Sequence, residues 1–194
     1  MESEAAKSSA ARPDQDEYFM GIAFAVRRRA VCLGRKVGAV LVRDGRIIST
    51  GYNGTPEHMA NCDDVEKGCY RCAHPEEFES GVGYDLCICV HAEQNALLSA
   101  ARFGIAVEGA TLYTTVRPCF GCTKEALQAK IDTVHYVHDW NHPNAKVARQ
   151  YEVIQARLPG GVRPRQIADP DDEPDKAPLE ATGHEDEEQT ADLT

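Results

Sequence analysis

Two short segments of this chain carry side chains that together could hold a metal ion and move protons: His91-Ala92-Glu93 and Pro118-Cys119-Phe120-Gly121-Cys122. They supply an imidazole, two thiols and a carboxyl. Three protein ligands with an open fourth position make a catalytic zinc site, whereas a structural zinc normally takes four. Each segment is expected to open a helix, where unpaired backbone N–H groups and the positive end of the dipole stabilise thiolates. Residues two apart face opposite ways within a helix, so His91 must sit at the very N-terminus for His91 and Glu93 to reach one metal. Zinc with two thiolates and a neutral imidazole has a net charge near zero and acidifies its water less than a site with three neutral ligands. A nearby base must therefore help, and Glu93 is placed to take the proton. A Cys-x-x-Cys by itself is equally a redox pair or half of a structural zinc site. The ordered conjunction of both segments is far more specific.

Six further cysteines, Cys32, Cys62, Cys69, Cys72, Cys87 and Cys89, lie outside that set, most of them in one irregular stretch. Cys69-x-x-Cys72 with Cys87 fits a four-coordinate structural zinc, completed by Cys62, Cys32, Cys89 or His74. Cys62, Cys69, Cys72 and Cys87 are the preferred set, and the alternative is a group of buried thiols acting as small apolar residues.

The elements that must position these residues follow from periodicity. Apolar residues recur at helical spacing from Asp14 through Val26, predicting a first helix that ends near Gly34. An apolar run over residues 36–43, an Asp44-Gly45 turn and a returning run over 46–51 predict a β-hairpin. Residues 52–90 show no sustained period, and so long a loop is usually functional or internally stapled. Beyond it, helices are predicted over 91–103, 119–130 and 144–158, with strands over 110–116 and 133–138. The order α-β-β-α-β-α-β-α implies an α/β fold, a three-layer α/β/α sandwich with a mixed central sheet. Residues 1–13 and 159–194 have too few large apolar side chains for a core and are expected to be loose tails around a domain over 14–158.

The net charge of −10 is confined to the end of the chain, because eleven Asp or Glu from Asp169 onward face the single Lys176. The remaining twenty acidic and twenty basic residues balance. That argues against long nucleic acid as a partner, which needs clustered excess Lys and Arg, and suits a small phosphorylated molecule. No apolar run approaches the roughly 20 residues of a membrane span, and the first residues lack a signal-peptide core, so a cytoplasmic protein is expected.

Four blocks carry a family resemblance: His91-Ala92-Glu93-Gln94-Asn95-Ala96, the 118–122 segment, Val37-Gly38-Ala39-Val40-Leu41-Val42 and Gly51-Tyr52-Asn53-Gly54-Thr55-Pro56. Together they resemble the deoxycytidylate (dCMP) deaminases, within the cytidine deaminase-like fold, over residues 14–138. His-x-Glu with Pro-Cys-x-x-Cys is the known signature of zinc deaminases. The resemblance implies zinc on His91, Cys119 and Cys122, with Glu93 carrying protons to the ring nitrogen and the leaving amine. It also implies the Ala92 N–H on the pyrimidine carbonyl and Asn53 on the deoxyribose or its phosphate. Tyr52 and Gly54 join the expected substrate-binding set, since glycines let backbone approach a ligand. A homo-oligomer, often a hexamer, with dCTP and dTTP as effectors would follow, as would a second, structural zinc found in some relatives. The chain departs from the family where a Lys-Tyr loop would hold phosphate: His138, Trp140 and His142 stand there and could supply a donor and a stacking face. Two alternatives stay open. One is the same chemistry on a modified cytosine nucleotide, a nucleoside or another amino-heterocycle; the other is a zinc-stapled interaction module without catalysis.

Overall fold

The computed structural model describes residues 12–64, 66–79, 82–84 and 86–171. Five strands form one sheet in the order β2-β1-β3-β4-β5. Strand β1 (Gly38–Arg43) is antiparallel to both its neighbours, the edge strand β2 (Arg46–Tyr52) and the central strand β3 (Thr111–Val116). Then β4 (Thr133–His138) runs parallel to β3, and β5 (Gly161–Pro164) parallel to β4. The hairpin turns at Asp44 and Gly45 with φ of 51° and 70°, the left-handed pair that an Asp-Gly turn accommodates.

Alternation along β1 explains the layers. Val40 and Val42 face α1 (Gln15–Arg27), meeting Phe19, Met20, Ala23 and Phe24, whereas Ala39 and Leu41 face the other way. On that second face they join Ala92 and Ala96 of α3 (Ala92–Arg102), Ala126 of α4 (Phe120–Gln128) and Leu158, just beyond α5 (Ala145–Gln155). Burial of each large apolar side chain here contributes about 1.5–3 kcal/mol. This is the expected sandwich, with both faces of a mixed sheet covered. No helix among the described residues is long and apolar enough to cross a membrane.

Three expectations are corrected. The first helix ends at Arg27, seven residues before Gly34, because the chain turns back to lay Gly38 against it. A Cβ at Gly38 would stand 2.1 Å from the Ala23 carbonyl oxygen, so the helix and β1 meet backbone to backbone. Within residues 52–90, a single helical turn, α2 (Tyr70–Ala73), and a 3-10 turn (Pro75–Glu77) interrupt the irregular chain. Residues 159–171, expected to belong to a loose tail, are instead ordered: β5 pairs with β4, and the segment up to Asp171 returns to α1. Asp169 accepts from both Arg27 Nη2 (2.6 Å) and His138 Nε2 (2.6 Å), and Asp171 accepts from Arg28 Nη2 (2.8 Å). Residues 1–11 and 172–194 lie outside the described residues.

Burial alone would raise the Asp169 carboxyl, but hydrogen bonds from Arg27 and His138 hold it well below the usual carboxylate range. A depressed folded-state pKa stabilises above the unfolded value of about 3.9 and is lost as pH falls through the folded one. Asp169→Asn is therefore expected to lower the urea midpoint at neutral pH. The gap to the parent should narrow once the pH drops below about 4. Equal midpoints at neutral pH would show that the return of the chain onto α1 contributes nothing.

Candidate metal centre and cavity

The site is built where the N-termini of α3 and α4 meet. His91 is the N-cap of α3 with extended backbone (φ −70°, ψ 158°), and its N–H donates to Gln94 Oε1. Cys119 is the N-cap of α4, its sulfur receiving the Cys122 N–H at 3.5 Å. His91 Nδ1 consequently lies 3.4 Å from the sulfurs of both Cys119 and Cys122. Ligands of a tetrahedral zinc at about 2.0 Å (N) and 2.3 Å (S) stand about 3.5 Å apart, so the donor set fits that ion. Glu93 is buried behind them, one oxygen 3.7 Å from Cys122 Sγ and the other accepting from the Thr114 hydroxyl at 3.3 Å. The arrangement thus brings together the four residues singled out by their spacing.

Their protonation is strongly perturbed. The hydrogen bond with Cys119 pushes His91 up to about 9. Cys119 is held down to about 4, first by its hydrogen bond with Cys122 and then, against burial, by His91. Cys122 is pushed up by Cys119 and by burial, and burial raises Glu93. A divalent cation bound among these donors takes the place of the shared protons.

A cavity opens beside the donors. The buried Ala92, Glu93, Asn53 and Val116 line it together with Val37, Arg35, Arg71, Tyr84, Arg117 and Trp140, which are half-buried or exposed. Asn53 is buried with both ends of its amide engaged: Oδ1 accepts from the Val37 N–H (2.7 Å) and Nδ2 donates to the Arg35 carbonyl (2.9 Å). It fixes the cavity wall between residues 35 and 37. Arg71 lies over the Tyr84 ring at 4.7 Å, and its Nε donates to the Val82 carbonyl. Arg117 is held by Gln155 Oε1 and Asn141 Oδ1.

Tyr52 and Gly54, expected to touch substrate, are not part of the cavity lining. Tyr52 ends β2 with its side chain turned outward, and Gly54 bridges to Val90, tying the two ends of the irregular segment. The glycine needed for close approach is Gly51, and what approaches is helix α3: a Cβ there would stand 2.2 Å from the Ala92 carbonyl oxygen. Of the divergent loop, Trp140 reaches the cavity, while His138 is engaged by Asp169 and His142 packs against Trp140 and Tyr151. Arg35 and Arg71 were not legible as site residues, since nothing in their sequence neighbourhood distinguishes them from other surface arginines.

Cys62, Cys69, Cys72 and Cys87 do come together, but not alone: Cys32 and Cys89 belong to the same cluster. His74 instead stacks on Tyr70 with its Nδ1 at the Tyr70 carbonyl, outside the metal-competent groups.

An α/β sandwich with an imidazole and two thiols at paired helix N-termini, backed by a buried carboxyl, defines the zinc-dependent deaminase class. The model of the cytidine and deoxycytidylate deaminase zinc-binding region matches residues 13–138, and the chain belongs to that family. A Schizosaccharomyces pombe protein named deoxycytidylate deaminase is 39% identical over 160 residues, covering 82% of this chain and 46% of that protein. One from Mycobacterium phage D29 is 43% identical over 125 residues, covering 64% of this chain and 95% of that protein. The dCMP deaminase of cyanophage S-TIM5, solved with dCMP and dUMP, superposes with a TM-score of 0.59 at 26% identity, covering 80% of this chain and all of that one. The chain spans less than half the length of the Schizosaccharomyces and Saccharomyces cerevisiae relatives it matches.

Proposed function

We propose that this protein converts dCMP to dUMP and ammonia. The observation that carries the reading is the buried Glu93 carboxyl beside the His91, Cys119 and Cys122 donors, open to a cavity that three arginines also line. His91, Cys119 and Cys122 would hold zinc, which would supply the Lewis acidity that makes water a nucleophile at neutral pH. Glu93 accepts the proton of the attacking water, and its buried position, which favours the neutral acid, suits it to hand protons to the ring nitrogen and then to the departing amine. The Ala92 N–H, in the first turn of α3, has no partner within its own helix and is available to the pyrimidine carbonyl. The second hydrogen of Asn53 Nδ2 is available to the deoxyribose.

The phosphate is assigned to Arg35 and Arg71 at the cavity mouth. Arg71 spends its Nε on Val82, and the remaining guanidinium donors can face an anion. These two replace the family loop from which residues 138–142 depart. Charged hydrogen bonds contribute about 1.5–3 kcal/mol, so Arg71→Ala is expected to raise KM for dCMP roughly ten- to a hundredfold. Turnover of deoxycytidine, which lacks the phosphate, should barely change. Parallel losses on both substrates would remove Arg71 from phosphate binding. A cytoplasmic homo-oligomer, with dCTP and dTTP as effectors, is the family form and belongs to the same proposal.

A further inference from the structure

Apart from the three donors at the helix N-termini, the six remaining cysteines converge on one buried point although they span residues 32 to 89. Their sulfurs fall into two overlapping groups. Cys32, Cys62 and Cys89 lie within 4.8 Å of one another, and so do Cys62, Cys69 and Cys72. Cys72 is also 3.9 Å from Cys32 and 3.8 Å from Cys87, and Cys87 is 3.7 Å from Cys69. Two four-sulfur sets sharing Cys62 and Cys72 follow, one adding Cys32 and Cys89 and the other Cys69 and Cys87, and in each five of the six sulfur pairs lie within 4.8 Å.

These separations are far from the roughly 2.05 Å of a disulfide. The three pairs at 3.7, 3.8 and 3.9 Å match the edge of a tetrahedron around a metal at about 2.3 Å from each sulfur, which is about 3.8 Å. Backbone N–H groups already favour charged sulfur here: Leu33 donates to Cys62 at 3.4 Å, and, against burial, the backbone of Cys72 and Ile88 holds the Cys69 thiol below its usual range. Such donors stabilise thiolates, and packed neutral thiols have little use for them. Gly68 lets the loop close this tightly, since a Cβ there would stand 2.4 Å from the carbonyl oxygens of both Asp64 and Cys62.

We propose that the six cysteines hold two zinc ions as a binuclear cluster in which Cys62 and Cys72 bridge the metals, Cys32 and Cys89 complete one tetrahedron, and Cys69 and Cys87 complete the other. Two divalent ions offset most of the charge of six thiolates, whereas one ion would leave two buried sulfurs without a ligand role. Cys32, Cys72, Cys87 and Cys89 also form part of the cavity wall, so the cluster anchors the segment that presents Arg71 and Tyr84. The inference does not depend on which reaction the cavity performs.

The test uses the full chain, refolded or expressed with cadmium-113, and a Cys119→Ser variant that disables the separate donor set. Native mass spectrometry is expected to give three metals per chain for the parent and two for the variant, with the six thiols protected from a thiol reagent until a chelator is added. Cadmium-113 resonance is expected to show two tetrathiolate signals split by each other through shared sulfur. A single tetrathiolate signal with two reactive thiols would reduce the site to one metal and overturn the proposal. Six reactive thiols and no tetrathiolate signal would overturn it equally, leaving a buried thiol cluster. Because the parent protein alone decides among these results, misfolding of a variant does not rescue the idea.

Discussion

Glu93→Gln is expected to lower kcat on dCMP by about 10²–10⁴-fold, the range that positioned proton transfer contributes. The amide keeps the shape of the side chain and can still meet the Thr114 hydroxyl, so fold and zinc content should match the parent. What disappears is a group able to accept a proton and return it. The rate and the metal content, measured on the same preparation, separate this account from a structural one. A variant that loses its zinc as well would make Glu93 a support for the metal site, and one that retains full rate would leave the carboxyl without a catalytic role. A non-catalytic, zinc-stapled module predicts no effect at all.

The second large effect is expected at a position that touches neither metal nor cavity. Helix α3 lies directly on β2 at Gly51, where an added Cβ would meet the Ala92 carbonyl oxygen at 2.2 Å and the Ala96 nitrogen at 2.4 Å. Both contacts are backbone atoms of the helix that carries His91 and Glu93, so a rotamer change cannot relieve them. Gly51→Ala should destabilise the fold by roughly 1–3 kcal/mol and shift α3 against α4. The three metal donors come from those two helices, so zinc occupancy should fall with stability. Gly21→Ala is the control: a Cβ there meets nothing within 4 Å, it sits inside α1, and it should be neutral or stabilise by about 0.4–1 kcal/mol. Thermal melts with parallel zinc analysis check both. A Gly51→Ala protein as stable and as zinc-rich as the parent would mean that α3 is free to settle elsewhere.

How much of this could be read in the sequence depended on whether the determining interaction was local. The hairpin of β1 and β2 was legible because Asp44-Gly45 specifies its own turn. The His91 to Cys122 constellation was legible because helix starts hold such donors in a fixed local geometry, so spacing alone carries the information. The early end of α1 was not, since it depends on Gly38 returning to meet Ala23. Nor was β5, whose residues 161–164 contain one large apolar side chain and owe their order to pairing with β4 and to Arg27 reaching Asp169, 142 positions away. The cysteines show the same limit. Spacing suggested one four-thiol site from Cys62, Cys69, Cys72 and Cys87, yet Cys32 and Cys89 complete the cluster through loops whose path no periodicity encodes. The motif fixed the bend after β2, and Tyr52 and Gly54, expected beside substrate, stand outside the cavity lining, which spacing alone could not indicate.

The family resemblance therefore locates the chemistry, and the structure adds the arginine-bearing mouth and the thiol-rich wall that frame it. The most direct test of the central claim is ammonia release by the zinc-loaded protein from dCMP, run beside CMP, deoxycytidine, dCTP and a 5-substituted dCMP. The account predicts conversion of dCMP to dUMP with one ammonia per product, and much weaker turnover of the nucleoside that lacks the phosphate. No ammonia from any cytosine compound, with zinc still bound at His91, Cys119 and Cys122, would contradict it.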